Sequence, residues 1–316
     1  MTQTTVASSK RCREHGRLSW REDFHRHWFV YCMAIPVLVY YIVFHYVPMG
    51  GLVIAFQDFK IQKGFFASDW VGFKHFVDFL TGPFAWRTIR NTLLINVYSI
   101  LFGFPLPILF ALMVNEVESK SFRKVTQTIS YMPHFISTVV ICGMLADFCR
   151  TTGLFNDAFG VFLSEPINFL NEPKFFRAIY VGSSIWQSMG WSSIIYLATL
   201  SSVDVSLYDA ASIDGANRFQ RIWHITVPCL VPTITIQLIM RIGNIMSLGF
   251  EKIILLYNPL TYETADTVSS YVYRYGLQGA HYSFGAAVGM FNSFVNIIIL
   301  VTANKLSQKF LENSLW

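Results

Sequence analysis

The chain has 316 residues, of which 53% are hydrophobic and only 14% charged, with a mean hydropathy of +0.42 and a formal net charge of +5. Soluble domains carry about a quarter charged residues, so this composition excludes an ordinary water-soluble globule and indicates an integral membrane protein. The basic residues gather in short segments between apolar runs, which makes the lipid bilayer, and not nucleic acid, the partner that the charge implies.

Residues 1–27 form a basic, polar segment that closes with "KRCREHGRLSWREDFHRH". The first apolar run, 28–49, has no small-residue cleavage site after it and is expected to stay as an anchor. Residues 50–90 interleave aromatic side chains with Lys74, His75 and Asp78, the pattern of either a short interfacial helix or a small folded lid. The second run, 91–114, carries Pro105 and Pro107, and the third, 129–149, carries Pro133 near its start. Proline in a membrane helix is tolerated where neighbours satisfy the freed carbonyls, so kinked helices packed in a bundle are expected. Runs at 178–200, 229–248 and 284–303 complete six spans near the length needed to cross about 30 Å of hydrocarbon. Gly285 and Gly289, four apart in the sixth, offer a small-residue face to a helix of this chain or of a partner chain. The fold class is therefore all-α, with a single six-helix membrane domain over 28–303 and a short tail at 304–316.

Orientation follows from the basic residues. The amino-terminal segment, the connection with Lys120, Arg123 and Lys124, the segment with Arg218 and Arg221, and the tail with Lys305 and Lys309 alternate along the chain. All four face the cytoplasm if both termini do. Arg87 and Arg90, just outside the second span, run against the bias.

The connection at 201–228 is too long and too patterned for a plain loop. Ser201 and Asp204 can cap a first helix, whose Leu207, Ala210 and Ala211 form a narrow small-residue face. Asp214-Gly215 breaks it, with Asp214 a candidate cap for the second arm. Phe219, Ile222 and Trp223 then share one face while Arg218 and Arg221 point elsewhere, and Pro228 marks the start of the fifth span. The expected product is a cytoplasmic helix, bend, helix hairpin with one apolar and one charged face. An amphipathic loop resting on lipid explains the aromatic side chains. It does not explain the paired alanines beside an acid and a glycine, which suit insertion into a cleft on another protein.

Asp209-Ala210-Ala211, then three residues, Gly215, nine residues and Ile225-Thr-Val-Pro228 resemble the Glu-Ala-Ala…Gly…Ile-x-Leu-Pro loop of permease subunits of binding-protein-dependent ATP-binding-cassette importers. Asp209 replaces the usual Glu and Val227 the usual Leu. The stretches "YVPMGGLVIAFQDFK", "SFRKVTQTISYMPHFIS" and "RIGNIMSLGFEKIILLYNPLTYETADTVSSYVYRYGL", with the closing "SLW", are similar to permeases of oligosaccharide and polysaccharide importers, so the resemblance covers nearly the whole chain. It implies a type I importer permease fold whose hairpin is the coupling helix. Asp209 would pair with a basic residue of an ATPase subunit, Ala210 and Ala211 would allow close approach, and Gly215 would make the bend. Asp214, Arg218, Ile225 and Pro228 complete the coupling set. The implied partners are a second, homologous permease, two ATPase subunits and an external substrate-binding protein, in a bacterial inner membrane. The cargo is an oligosaccharide, with acidic alginate-like chains the leading expectation. No G-x-x-x-x-G-K-[ST] phosphate loop occurs in the chain, so ATP and Mg are expected on the ATPase subunits and no cofactor on this one.

Arg241 on the fifth span, with Asn244 three residues on, could either hold the bundle together or line the cargo path. Asn292 and Asn296 form a polar stripe on the sixth span, and Trp186, Gln187 and Trp191 on the fourth are either sugar platforms or ordinary core residues. The tyrosine-rich segment after Leu255 is either a contact surface for cargo or binding protein, or a packed lid. His134 is expected to be a hydrogen-bonded structural histidine. Catalysis finds no support: no metal helix, no nucleophile elbow, and five cysteines without a Cys-x-x-Cys pair. The alternative transporter class, a secondary carrier driven by ions or protons, calls for intramembrane acids on a shared path. The spans offer Asp147 and almost nothing else.

Overall fold

The computed structural model describes residues 20–159 and 165–311 and falls into two compact units, residues 1–53 and 54–316. Most of the predicted amino-terminal segment and the closing "SLW" lie outside the described residues.

In the first unit, α1 (Trp20–Tyr41) bends at His27 and carries Pro36 inside it. A π turn, Ile42–Tyr46, and a short turn, Val47–Met49, prolong it. None of the described side chains from Phe24 to Met49 is buried. So long an apolar stripe cannot face water, and lipid or a partner subunit must cover it.

The second unit is helical apart from a two-residue ribbon, β1 (Gln57–Asp58) against β2 (Asp69–Trp70). A short helix, α2 (Lys74–Thr81), buries Phe79 against Tyr271, Phe284 and Phe291. Residues 54–84 are thus a folded cap. Two stacked helices follow, α3 (Ala85–Gly103) and α4 (Pro105–Asn115), separated only at Phe104, where Pro105 removes a backbone donor. The second span therefore starts six residues before the apolar run itself.

The third span departs most from expectation. In place of one helix over 129–149, α5 (Lys120–Tyr131) and α6 (Thr138–Phe148) meet at 93°. Pro133 opens a 3-10 turn, Ile136 and Ser137 are extended, and the Ser137 hydroxyl starts the new helix by accepting from the Val140 N–H. At 11 residues, α6 is about 16 Å long, too short to cross alone. Among the described residues, four helices are long and apolar enough to cross a membrane, and this bent pair makes a fifth.

The central helix is α7 (Pro173–Ser201), which packs against α3, α4 and α5. Six serines and Gln187 keep it from reading as an apolar span, although it is 29 residues long. Gly190 lets the Ser130 carbonyl of α5 approach so closely that any Cβ would collide with it. The core has three apolar clusters, two of which include residues of this helix. One joins Ile95, Cys142, Phe176, Tyr180 and Ile253, a second joins Phe79, Met246, Val268 and Phe284, and a third joins Ala111, Tyr196, Leu200 and Leu230.

Past α7 come α8 (Val205–Ile213), α9 (Arg218–Arg221), a π turn Ile222–Thr226, α10 (Val227–Gly243), α11 (Phe250–Leu256) and α12 (Tyr282–Leu311). In α12, Gly285 faces Gly276 of the preceding segment, where a Cβ would lie 3.3 Å from the Gly276 Cα, while Gly289 opens onto free space. One glycine of the pair thus serves packing within the chain. The tyrosine-rich segment is folded around Asp266, which is fully buried and held by Arg87 at 3.1 Å and Arg274 at 2.7 Å.

Candidate functional site: a hairpin and a polar cavity on one helical run

The hairpin is closed by its backbone. Asp204 caps α8 by accepting from the Ser206 N–H at 2.9 Å, and that hydrogen bond holds its carboxyl below the usual carboxylate range. Ser201 belongs to the end of α7, where its hydroxyl donates to the Ala198 carbonyl. At the far end Gly215 has φ +75°, the left-handed conformation that a Cβ disfavours. Its N–H donates to the Ser212 carbonyl and the Ala216 N–H to the Ala211 carbonyl, the paired bonds of a Schellman stop.

The cap of the second arm is Asn217, not Asp214. Asn217 accepts from the Gln220 N–H while the Gln220 side chain accepts from the Asn217 N–H, a complete capping box. Asp214 instead ends α8. Arg221 donates to the Ser212 hydroxyl at 3.0 Å and Tyr208 meets the buried Thr226 hydroxyl at 3.0 Å, so two side-chain bonds hold the arms together. Arg218 pairs with Glu118, in the loop between α4 and α5. Both partners are exposed, so this pair contributes orientation more than stability.

The hairpin leaves its apolar side chains outside. Ile213 is 87% exposed, Phe219 72% and Trp223 60%, with Asp209 and Ala210 exposed beside them. Asp209 makes no ion pair among the described residues. A groove of 330 Å³ between the arms is lined by Ala211, Asp214, Gly215, Arg221 and Ile225.

Pro228 does not open an independent helix. The run from Arg218 to Gly243 is continuous, because the π turn donates the Val227 N–H to the Ile222 carbonyl and absorbs the proline that follows. The second arm and Arg241 thus belong to one helical run, about 35 Å from Arg218 to Arg241, with Pro232 inside it.

At that far end Arg241 is exposed and lines two cavities. One, of 260 Å³, is polar and bounded by Asn96, Ser99, Ser184, Ser188 and Ser247. The other, of 520 Å³, adds Trp191, Tyr196 and Gln237. Arg241 makes no ion pair among the described residues.

Of the other candidate path residues, Trp191 shares a cavity with Arg241 and the rest lie elsewhere. Trp186 lines an apolar pocket of 740 Å³ with Phe148, Phe155 and Phe175. Gln187 donates to the Ile136 carbonyl at 3.3 Å, bridging the break in the third span. Asn244 ends α10 and donates to the Met240 carbonyl. Asn296 accepts from the Met246 N–H and donates to the Ser247 hydroxyl, an interhelical clasp, whereas the Asn292 side-chain oxygen is buried without a partner. Trp191 gives one face to His134, stacked at 4.5 Å and 4°, so ring stacking takes the place of the hydrogen bond expected for that histidine.

The sequence reading missed Lys252, buried on α11 with its ammonium 2.8 Å from the Ser184 hydroxyl. A lysine inside "FEKIILL" was the available signal. It also missed Asn217, although Asn-x-x-Gln ahead of an apolar run is a readable capping box.

Comparison with known proteins agrees in extent with this architecture. The chain is 41% identical over 300 residues to Protein LplB of Bacillus subtilis (strain 168), covering 95% of this chain and 94% of that one. It is 41% identical over 291 residues to the polygalacturonan/rhamnogalacturonan transport system permease protein YteP of the same organism, covering 91% and 90%. Among solved structures it is similar to a chain in the crystal structure of a bacterial ABC transporter involved in the import of the acidic polysaccharide alginate. That match has a TM-score of 0.84 and 45% identity, over 92% of this chain and 98% of that one. A second alginate ABC transporter structure, in complex with an alginate pentasaccharide-bound periplasmic protein, matches with a TM-score of 0.85 and 44% identity, over 94% and 99%. Residues 103–311 match the family described as the binding-protein-dependent transport system inner membrane component, and the chain belongs to that family.

Proposed function

We propose that this permease subunit carries an acidic oligosaccharide into the cytoplasm, paired with a second permease and driven by two separate ATPase subunits. The bent α5–α6 pair and the serine-rich α7 each count as one crossing, which brings the total to six, with both termini and the hairpin on the cytoplasmic side. The basic residues of the segments around Lys120 and Arg218 support that orientation.

One observation carries the reading. The second arm of the exposed hairpin and a wall of the polar cavity, Arg241, lie on one helical run, Arg218–Gly243. Closure of the ATPase pair moves the docked hairpin, α10 moves as its extension, and the walls around Arg241 shift between inward-open and outward-open arrangements. Hydrolysis then resets the cavity. The exposed faces of Ile213 and Phe219 suit an apolar groove on the ATPase, with Asp209 meeting a basic residue at its rim. Acidic cargo is supported by the similarity to chains of alginate importers and by a guanidinium that faces a cavity without a paired carboxylate.

The test is purification from the native membrane followed by cargo-stimulated ATPase measurement. An ATPase is expected to co-purify, and Asp209→Lys is expected to abolish stimulation while the six-span subunit remains in the membrane. An assembly without an ATPase, or unchanged stimulation in Asp209→Lys, refutes the proposal.

A further inference from the structure

A cation withdrawn from water is costly unless an anion or a set of acceptors compensates it. Lys252 is such a cation. The residue is 8% exposed, its Nζ donates to the Ser184 hydroxyl at 2.8 Å, and it stands 5.2 Å from the centre of the Tyr180 ring. The Ser184 hydroxyl in turn donates to the Tyr180 carbonyl. An ammonium has three donors, and Ser184 accepts one. Among the described residues Lys252 forms no ion pair, and the adjacent Glu251 is exposed and does not reach it.

Ser184 and Tyr180 are also walls of the 260 Å³ polar cavity, which Arg241 enters from the opposite helix and which no Asp or Glu lines. Arg241 is thus the cation that lines this small polar space, no anion lines it, and Lys252 stands behind its Ser184 and Tyr180 walls. Its level is informative: Ser184 is 11 residues into the 29 of α7, and Asn96 is likewise 11 residues into the stacked run Ala85–Asn115. Both lie about 17 Å along their helices, near the middle of a crossing, where a charge is retained for a partner or a path.

We infer that Lys252 is a specificity-determining residue of the cargo path: its ammonium, held behind Ser184, is the second cation, with Arg241, that meets a carboxylate passing through this cavity. The inference rests on the importer reading above. It assigns the selection of charged over neutral sugar units to this chain, in addition to whatever the binding protein selects.

The experiment uses the whole importer in proteoliposomes, supplied with binding protein saturated either with a uronate oligosaccharide or with its partly carboxyl-reduced counterpart. Lys252→Met is expected to lower the ratio of acidic to reduced cargo transport about tenfold. Lys252→Arg is expected to keep most of the ratio. Ser184→Ala, which removes the hydroxyl and leaves the charge, is expected to keep it too, and tests the idea even if Lys252→Met fails to assemble. Equal loss of both cargoes in Lys252→Met, or a ratio that falls as far in Ser184→Ala, would make the lysine a packing pin and overturn the inference. A wild-type complex that does not discriminate between the cargoes would instead refute the acidic-cargo proposal itself.

Discussion

Gly215 gives the most direct test of mechanical coupling, because its role can be separated into backbone and side-chain parts. Its φ of +75° places it in the left-handed region, and a Cβ built there meets nothing within 4 Å. A substitution therefore adds no clash, and the cost is that of the backbone conformation alone, about 1–2 kcal/mol for an ordinary L-residue. That is a factor of about 5–30 in the population of the bent hairpin. Asn tolerates this region better than Ala, and a β-branched Val tolerates it worst among residues that keep the N–H. Proline is harsher still, since it holds φ near about −65° and deletes the bond from the Gly215 N–H to the Ser212 carbonyl at 3.2 Å. The ratio of cargo-stimulated to basal ATPase activity is expected to fall in the order Gly, Asn, Ala, Val, Pro. Transport in proteoliposomes should follow the same order, with the subunit still assembled. A flat series, or one ordered by side-chain volume and not by tolerance of positive φ, would refute the bend as a coupling element.

Two further outcomes follow from the same structure. The Asp204 carboxyl is held below its ordinary range by the Ser206 N–H. A depressed folded-state value means its contribution is present above the unfolded value and is lost as pH falls through the folded one. Hydrogen exchange of the first turn of α8 should thus speed up as the medium is acidified through the carboxylate range, and Asp204→Asn should remove most of that pH step. Asp266 is fully buried beneath Arg87 and Arg274 and accepts from the Ser270 hydroxyl at 2.9 Å. Asp266→Ala strands two half-buried guanidinium groups, so the segment around it should lose about 3 kcal/mol, read as earlier proteolysis between residues 257 and 281 and a lower melting temperature of the complex.

Much of this architecture was legible in the chain, for identifiable reasons. Hydrophobic run length locates crossings because an unsatisfied backbone in lipid is so costly that only long helices survive. The hairpin was legible because glycine at a positive φ and small residues on one face are local requirements. The same local logic misplaced the cap: Asp214 and Asn217 are both good capping residues, and the Schellman stop at Gly215 spends the first on ending α8. The break in the third span was under-read because Pro133 alone does not say whether neighbours will straighten the helix or bend it. The contact of Gln187 with the Ile136 carbonyl, 51 residues away, is part of what stabilises the bend.

The number and order of apolar segments, the charge asymmetry and the bend at Gly215 belong to the amino-acid sequence by itself, because each depends on residues within a turn or two of one another. Which polar groups share a cavity is a tertiary matter. Arg241, Ser184 and Asn96 are brought to one cavity from three helices, with Lys252 of a fourth behind Ser184, while Trp186 and Gln187, on the same helix as Ser184, are rotated out of it. A helix turns about 100° per residue, so neighbours in sequence face different partners; only packing decides which face meets the path.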